Sequence, residues 1–561
     1  MLVAGIVSVI ALAYYYRQDA ILLYGDAVAH INIARRVFDS RWPGPGQLGT
    51  VWLPLPHVLM MPFIISDWAW QTGLGGSIPS MVAYVAGVAG CFRLLWRGLL
   101  AIGATTKRAR LAAWFGVVVF GANPNLLYMQ STAMNEPLYI AFVIWATVFL
   151  ADFAFLVRRE KQPNSFSHLG AAAAGHPLDD AERGADAESS LRRCGVMLMC
   201  AMLCRYDGWF IAAWFGAAAM WIVLSLGMSN GWRSLAPNLQ KALVTFVVLL
   251  AIAPAFWLGW NQFYFDNPLE WMNGPYSARA IMERSMQGGQ PPHPGYHDVG
   301  TAIFYYIKCA KLNLAGWLPE VGGAQTTGWR FIENAWAVLP VLGTLVLLLF
   351  ARRLWPLLLL WVPLPFYGLS IAYGGVPIFM PVWWPFSYYN VRYGLHLLPT
   401  AAVFTAILLY FLLSFFNRKP VKAAITVLAL AFVVVSYAGI WKSGPVCLRE
   451  ARENSTVRIA LEQRVGQALK QLPPNSTFLM QIGYYVGVLQ RAGIPLKRTI
   501  NESDFVVWNE ALADPAARVD YLVAADDDQV ARTARRVPSK FEPMATFEAP
   551  GQPTVTIYRK R

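Results

Sequence analysis

Asp26 and His30 stand four residues apart in Tyr24-Gly25-Asp26-Ala27-Val28-Ala29-His30. A helix here puts a carboxylate and an imidazole on one face, one turn apart. Such a pair can take a proton from an incoming hydroxyl or amine; a solvated face of a surface helix is the plainer alternative. A second acid, Glu136, lies in Asn135-Glu136-Pro137 at a helix start. A carboxylate is electrostatically favoured there, so it either caps that helix or faces Asp26 across a cavity. The stretch Cys204-Arg205-Tyr206-Asp207-Gly208-Trp209 interrupts two apolar runs. Ionisable groups at membrane depth are costly and mark function by default, the alternative being an internal Arg205–Asp207 pair between helix ends. Arg392 and Tyr393 follow in Tyr389-Asn390-Val391-Arg392-Tyr393-Gly394-Leu395-His396, and a guanidinium is a fork of donors that fits phosphate oxygens.

Two loops surround these residues. Pro43-Gly44-Pro45-Gly46-Gln47-Leu48-Gly49 runs into Val51-Trp52-Leu53-Pro54-Leu55-Pro56-His57. Pro-Gly pairs fix turns and prolines open a helix without wasting a donor, giving either a rigid platform for a headgroup or a tight loop. Further on come Asn273-Gly274-Pro275-Tyr276-Ser277-Ala278-Arg279, then His293 and His297. That histidine spacing makes a metal pair only on a helix, and Pro291, Pro292, Pro294 and Gly295 argue against one. No metal ligand set is assigned. Six cysteines without a CxxC pair give neither a disulfide framework nor a zinc site.

The elements that must position these groups are membrane helices. The chain has 561 residues, 56% hydrophobic and 14% charged, with a mean hydropathy of +0.41. A soluble chain carries about 25% charged residues, so water is not the solvent for most of this surface. Apolar runs near 1–16, 78–96, 111–128, 137–157, 194–204, 209–228, 242–263, 334–351, 354–372, 393–416 and 423–441 predict about eleven spanning helices. The shorter run 55–66 predicts a helix on or dipping into the membrane surface, and 160–192 a polar loop. Basic residues crowd the short connectors, among them Arg93, Arg97, Lys107, Arg158, Arg159, Arg192, Arg352 and Lys419. The positive-inside rule then puts the amino terminus in the cytoplasm, and loops 17–77 and 264–333 and the carboxyl-terminal tail outside. From about 442 the composition is that of a soluble domain. Phe478-Leu479-Met480-Gln481-Ile482 and Val519-Asp520-Tyr521-Leu522-Val523 read as strands, between helical stretches 455–471 and 528–536. The expected architecture is an all-α polytopic membrane protein: a transmembrane domain 1–441 and a small non-cytoplasmic α/β domain 442–561.

In layout the sequence resembles the GT-C superfamily of glycosyltransferases, which use polyprenyl-phosphate-linked sugars and include protein O-mannosyltransferases and lipid A aminoarabinose transferases. Four features carry the resemblance: Asp26 after the first helix, the Pro-rich step from Trp52 to His57, Asn135-Glu136 before a helix, and a late Arg392-Tyr393. A soluble tail after the last helix is also common in that superfamily. Adjacent acids are frequent in the family's first loop, whereas Gly25 and Ala27 flank Asp26 here; Trp52-Leu53-Pro54 replaces the usual basic residue or His before a Pro-Pro-Leu step.

The resemblance implies a hexosyl or pentosyl transferase on the non-cytoplasmic face of a bacterial inner or plasma membrane. It would move a sugar from a polyprenyl-phosphate donor to a lipid, glycan or protein acceptor, with inversion; nucleic acid is not an expected partner. Asp26 would be the base, oriented by His30. Arg205 and Arg392 would hold the phosphate with Arg279 helping, among substrate-binding residues that also include Trp52, His57, Asn135, Asp207, Tyr276 and Tyr393. Glu136 would orient the acceptor or bind a divalent cation, Mg or Mn, near Asp26; a metal-free site is preferred, since hard cations want several oxygens. The rival class is a lipid-linked-sugar flippase or other transporter. Transporters place ionisable groups near the midplane and show internal repeats; here those groups gather at one face and no repeat is visible.

Overall fold

The structure, a computed structural model, describes residues 1–157, 180–230, 237–275, 277–287, 291–316, 327–485 and 487–561. Its contacts divide the chain into two compact units. Residues 1–11, 81–130 and 135–449 form the first, and 12–80, 131–134 and 450–561 the second.

The first unit is helical. Among the described residues the chain has 8 helices long and apolar enough to cross a membrane, and Leu2–Tyr16 is a shorter apolar one. This is a multi-pass integral membrane protein. Every one of the apolar runs has a helical counterpart, from Leu2–Tyr16 to Lys419–Ser443. Burial separates the central helices from the peripheral ones. In Glu136–Val157 and Val391–Phe415, 72% of the apolar window is buried, against 22% in Leu239–Phe265. The latter leaves Val244, Val248 and Phe256 exposed, as lipid-facing side chains should be. Helix Asp180–Cys204 packs on Glu136–Val157 and Pro237–Phe265, and Thr327–Phe350 packs on Leu398–Phe415. The last contact is backbone-close, because a Cβ at Gly343 would overlap the carbonyl of Phe404.

Three details differ from the hydropathy reading. The run 354–372 is not one α-helix but a 3-10 segment, Arg352–Trp361, followed by helix Pro363–Tyr373. Pro356, Pro363 and Pro365 remove amide donors, which explains the change. Helix Asp180–Cys204 takes in the end of the stretch read as loop 160–192, where Ala, Glu, Arg and Leu are good helix formers; residues 158–179 lie outside the described residues. The loop 264–333 contains a full helix, Val299–Ala315. Lys308, Lys311 and Asn313 interrupt its apolar pattern and hid it.

The second unit joins the first long loop to the carboxyl-terminal residues. Its sheet has strands β1 (Phe478–Met480), β2 (Thr499–Ile500), β3 (Tyr521–Ala525), β4 (Phe541–Phe547) and β5 (Val555–Lys560) in the order β2-β1-β3-β5-β4. β1 is parallel to β2 and β3, while β5 runs antiparallel to β3 and β4. All of β1 and β3 is buried, and Leu479, Leu522, Val530 and Phe541 share one core. This is the expected small α/β fold, with both predicted strands present. A ring of hydrogen bonds fastens the loop to it. Trp70 Nε1 donates to Asn32 Oδ1 at 2.8 Å, Asn32 Nδ2 to Gln490 Oε1 at 3.2 Å, and Gln490 Nε2 to the carbonyl of Trp70 at 2.6 Å. Gln47 Nε2 adds a bond to Asp504 Oδ1 at 2.9 Å.

Candidate active site

In the first unit, three helix starts bring the predicted charged residues together. Glu136 is the first residue of helix Glu136–Val157, and Pro137 follows where a missing N–H costs nothing. Arg205 and Tyr206 break the chain between Asp180–Cys204 and Asp207–Asn230, and Asp207 opens the second of these where a carboxylate is favoured. Gly208 permits the break, since a Cβ there would sit 2.6 Å from the Ala201 carbonyl. Arg392 lies in the 3-10 turn Val391–Leu397, entered through Asn390 at φ 56. Gly394 lets that turn lie against the Cys309 carbonyl, 2.7 Å from where its Cβ would be.

Arg205 is the hub. Its Nε donates to Asp207 Oδ1 at 3.1 Å, one Nη to Asn135 Oδ1 at 3.0 Å and Glu136 Oε1 at 3.2 Å, and the other Nη to Tyr367 Oη at 3.2 Å. Its guanidinium also lies 4.8 Å from the ring centroid of Tyr393, a favourable cation–π distance. Arg392 Nε donates to the same Glu136 Oε1 at 3.0 Å. Two guanidinium groups and two carboxylates thus balance, which is the condition for burying charges at all. The predicted Asn135, Glu136, Arg205, Asp207, Arg392 and Tyr393 are all brought together here.

Three members escaped the sequence reading. Tyr367 donates to Asp207 Oδ2 at 3.0 Å and lies 2.8 Å from His396 Nδ1. Since the Tyr367 proton goes to Asp207, its oxygen accepts from His396 Nδ1–H, which leaves Nε2 of a neutral ring as a bare acceptor. Tyr139 packs its ring 4.9 Å from that of His396. Position hints existed for two of them: Tyr139 is one turn beyond Glu136, and His396 follows Arg392 by four residues. Tyr367 is a single tyrosine in an apolar run and sends no signal.

Two buried atoms in this constellation, Glu136 Oε2 and His396 Nε2, have no hydrogen-bond partner among the described residues. Leaving such an atom unsatisfied costs about 1–3 kcal/mol. Both are acceptors in this arrangement, and an O–H or N–H of a bound group can satisfy them. A divalent cation fits poorly at Glu136: two guanidinium groups already sit within 3.2 Å of its carboxylate, and a third positive centre is repelled. Among the described residues no three His, Cys, Asp or Glu side chains form a metal-sized group.

A cavity of about 630 Å³ in the same unit is walled by Trp214, Trp221, Trp355, Trp361, Leu359 and Val362. Trp214 and Trp221 lie seven and fourteen residues beyond Asp207 on one helix, about 10 and 21 Å along its axis.

The second unit holds the other predicted group. Asp26 is the second residue of helix Gly25–Arg36 and is half-buried. His30 Nδ1 lies 2.9 Å from Nε2 of His57, and its ring packs 4.7 Å from Trp52. His30, on the helix that carries Asp26, therefore forms one cluster with Trp52 and with His57 of helix Leu55–Met60. Burial above all, then His30 and Arg36 nearby, holds His57 well below the ordinary histidine value, so it is neutral at pH 7. Its Nδ1 has no partner among the described residues.

The remaining candidates stand apart from both clusters. Arg279 is exposed and pairs with Glu283 at 2.8 Å. His293 Nε2 bonds the Ile371 carbonyl at 2.8 Å, and His297 packs on Tyr296 and Tyr373. Tyr276 lies outside the described residues.

The fold of this chain is like that of ArnT. Two structures of ArnT from Cupriavidus metallidurans match this chain almost end to end. The form bound to undecaprenyl phosphate aligns with a TM-score of 0.54 and 12% identity over 99% of this chain and 96% of that one. The apo form aligns at 0.52 and 11% over 98% and 97%. An oligosaccharyltransferase from Archaeoglobus fulgidus tethered to an acceptor peptide matches more loosely, at 0.40 and 13% over 99% of this chain and 73% of that one. No family model matches the chain, and no curated protein matches its sequence. At such identities the ArnT likeness defines the fold alone.

Proposed function

We propose that the protein is a membrane glycosyltransferase that moves a sugar from a polyprenyl-phosphate donor to an acceptor on the non-cytoplasmic face, with inversion. The observation that carries this reading is the buried Glu136–Arg205–Asp207–Arg392 constellation at helix starts, within an ArnT-like fold. ArnT itself was captured with undecaprenyl phosphate. The tryptophan-lined cavity, about 10–21 Å along the helix from Asp207, supports a donor with a long apolar tail.

In this reading Asp26 takes the proton of the acceptor hydroxyl or amine as that atom bonds to the sugar's anomeric carbon. The bond from that carbon to the phosphate oxygen breaks, and the electron pair leaves with the lipid phosphate. Arg392 and Arg205 offset the charge that develops there. Arg205 would do so while it shares its donors with Asp207, Asn135, Glu136 and Tyr367. Glu136 Oε2, an unmatched acceptor, suits a substrate O–H or N–H better than a phosphate oxygen, which agrees with an orienting role toward the acceptor or the sugar. The orientation, with the amino terminus in the cytoplasm and the second unit outside, follows from the basic connectors.

The test offers purified protein in lipid nanodiscs a panel of radiolabelled polyprenyl-phosphate sugars with lipid, glycan and peptide acceptors, with and without chelator. Transfer of label with some donor, in the presence of chelator, is expected. Movement of an intact labelled lipid across proteoliposome membranes, without transfer from any donor, would favour the transporter reading instead. Loss of transfer with chelator and rescue by Mg or Mn would overturn the metal-free site.

A further inference from the structure

The second unit contains a cleft of about 610 Å³, lined among others by Tyr16, Asp19, Gln71, Gln463, Gln467 and Lys470. Its size is that of a pocket for a small ligand, and beside the apolar Ile21, Leu22 and Ala492 its walls carry amides, hydroxyls and charges of both signs. Gln463 and Gln467 lie one turn apart on helix Val446–Lys470 and present exposed amides on one face. Each amide carries two donors and an acceptor, so one side chain can bridge two neighbouring hydroxyls. Gln71 and Thr72 also line it, and Tyr16 adds an aromatic ring.

We propose that this cleft binds an uncharged, hydroxyl-rich ligand, a segment of glycan, and, resting on the transferase reading above, that it seats the acceptor. The charges in the cleft are already committed. Glu462 accepts from Arg458 Nη1 at 2.8 Å, Arg491 Nε at 2.9 Å and the Gly487 amide at 3.0 Å. Its carboxylate is therefore not available to a cation. Arg491 is held between Glu462 and the Leu22 carbonyl, 3.3 Å from its Nη2. That leaves Lys470 and Asp19, one charge of each sign among the lining residues, a balance that gives no preference to an anion. Neutral hydrogen-bonding ligands remain.

The link to transfer is structural. Arg458 donates to the Leu23 carbonyl at 2.8 Å, and Arg491 to that of Leu22. These are the residues just before the helix that carries Asp26, and Leu22 itself lines the cleft. From Leu22 to Asp26 the chain spans at most about 14 Å even when extended. A glycan in the cleft thus lies beside the segment that sets the position of the proposed base.

The test uses the full chain in detergent micelles and saturation-transfer NMR. The probes are neutral gluco-, manno- and galacto-configured trisaccharides, a matching uronic acid trisaccharide, and inorganic phosphate. At least one neutral trisaccharide should bind, and Gln463→Ala/Gln467→Ala, which alters only exposed side chains, should weaken it about tenfold. Failure of every neutral trisaccharide to bind in the millimolar range overturns the proposal. So does unchanged affinity in the double variant, or stronger binding of the acidic trisaccharide or of phosphate. The measurement needs no sugar donor, so binding without transfer from any donor would sink the transferase reading and leave the cleft assignment standing. In an active preparation with a glycan acceptor the same double variant should raise the acceptor KM and leave kcat unchanged; an unchanged KM removes the acceptor role.

Discussion

Glu136→Gln keeps the shape of the side chain and removes one of the two negative charges that offset Arg205 and Arg392. The Glu136 side chain is 1% exposed and that of Arg392 7%, so solvent cannot replace the lost charge. Removing one partner of a buried ion pair costs about 3–5 kcal/mol. The low end applies, because the glutamine carbonyl still accepts from both guanidinium groups, and about 3 kcal/mol is expected. Arg392→Gln leaves Glu136 with Arg205 alone on Oε1 and should cost a similar amount. If the 3.0 Å contact couples them, the double variant costs less than the sum, by roughly 1.5 kcal/mol. The assay is reversible unfolding in mixed micelles, followed by tryptophan fluorescence for the wild type and three variants. Additivity to within about 0.5 kcal/mol would mean that the pair is not an energetic unit, and the charge-balance reasoning would fail with it.

Two further expectations concern pH and the second unit. His57 is held low in the fold, so acid costs stability: as pH falls below about 6.5 the unfolded chain takes up a proton that buried His57 refuses. The thermal midpoint should drop between pH 7.5 and 5.5, and His57→Asn should flatten that slope; an equal slope in the variant counts against it. Asp528 runs the other way. Burial pushes its carboxyl up to about 6 even though it caps helix Gln529–Arg536 by accepting from the Ala531 amide. The ordinary aspartate value is about 3.9, so its contribution to stability falls as pH rises from about 4 to 6. Asparagine keeps the bond from the Ala531 amide but loses the oxygen that accepts from the Ala525 amide at 3.0 Å, so Asp528→Asn should lower the midpoint more at pH 4 than at pH 7.5. An equal loss at both pH values would show that the raised carboxyl does not shape the pH dependence.

What could be read from residues alone followed from how local each signal is. Apolar runs announce membrane helices because a bilayer leaves no other solution for the backbone. Glu136, Arg205 and Arg392 stood out because a charge beside such a run is costly without a reason. Their convergence on one carboxylate oxygen was not visible, since the three helix starts are 69 and 256 positions apart in their pairings. Tyr367 could not be singled out at all, because a tyrosine in an apolar run is ordinary. β1 and β3 were found as short buried runs, whereas β4, with Glu542, Pro543 and an alternating half-exposed pattern, reads as loop. The grouping of the first loop with the last hundred residues rests on pairs such as Asn32–Gln490 and Gln47–Asp504. Nothing in either segment advertises the other.

Transfer chemistry at Asp26 is the central claim, and one comparison tests it most directly. Wild type and Asp26→Asn are given the donor identified in the panel, in nanodiscs, and the single-turnover rate is measured together with the Kd for undecaprenyl phosphate. Loss of a general base should lower the rate by about 10²–10⁴ and leave that Kd unchanged. A variant that transfers sugar at the wild-type rate, or whose whole deficit is explained by weaker lipid phosphate binding, would contradict the assignment.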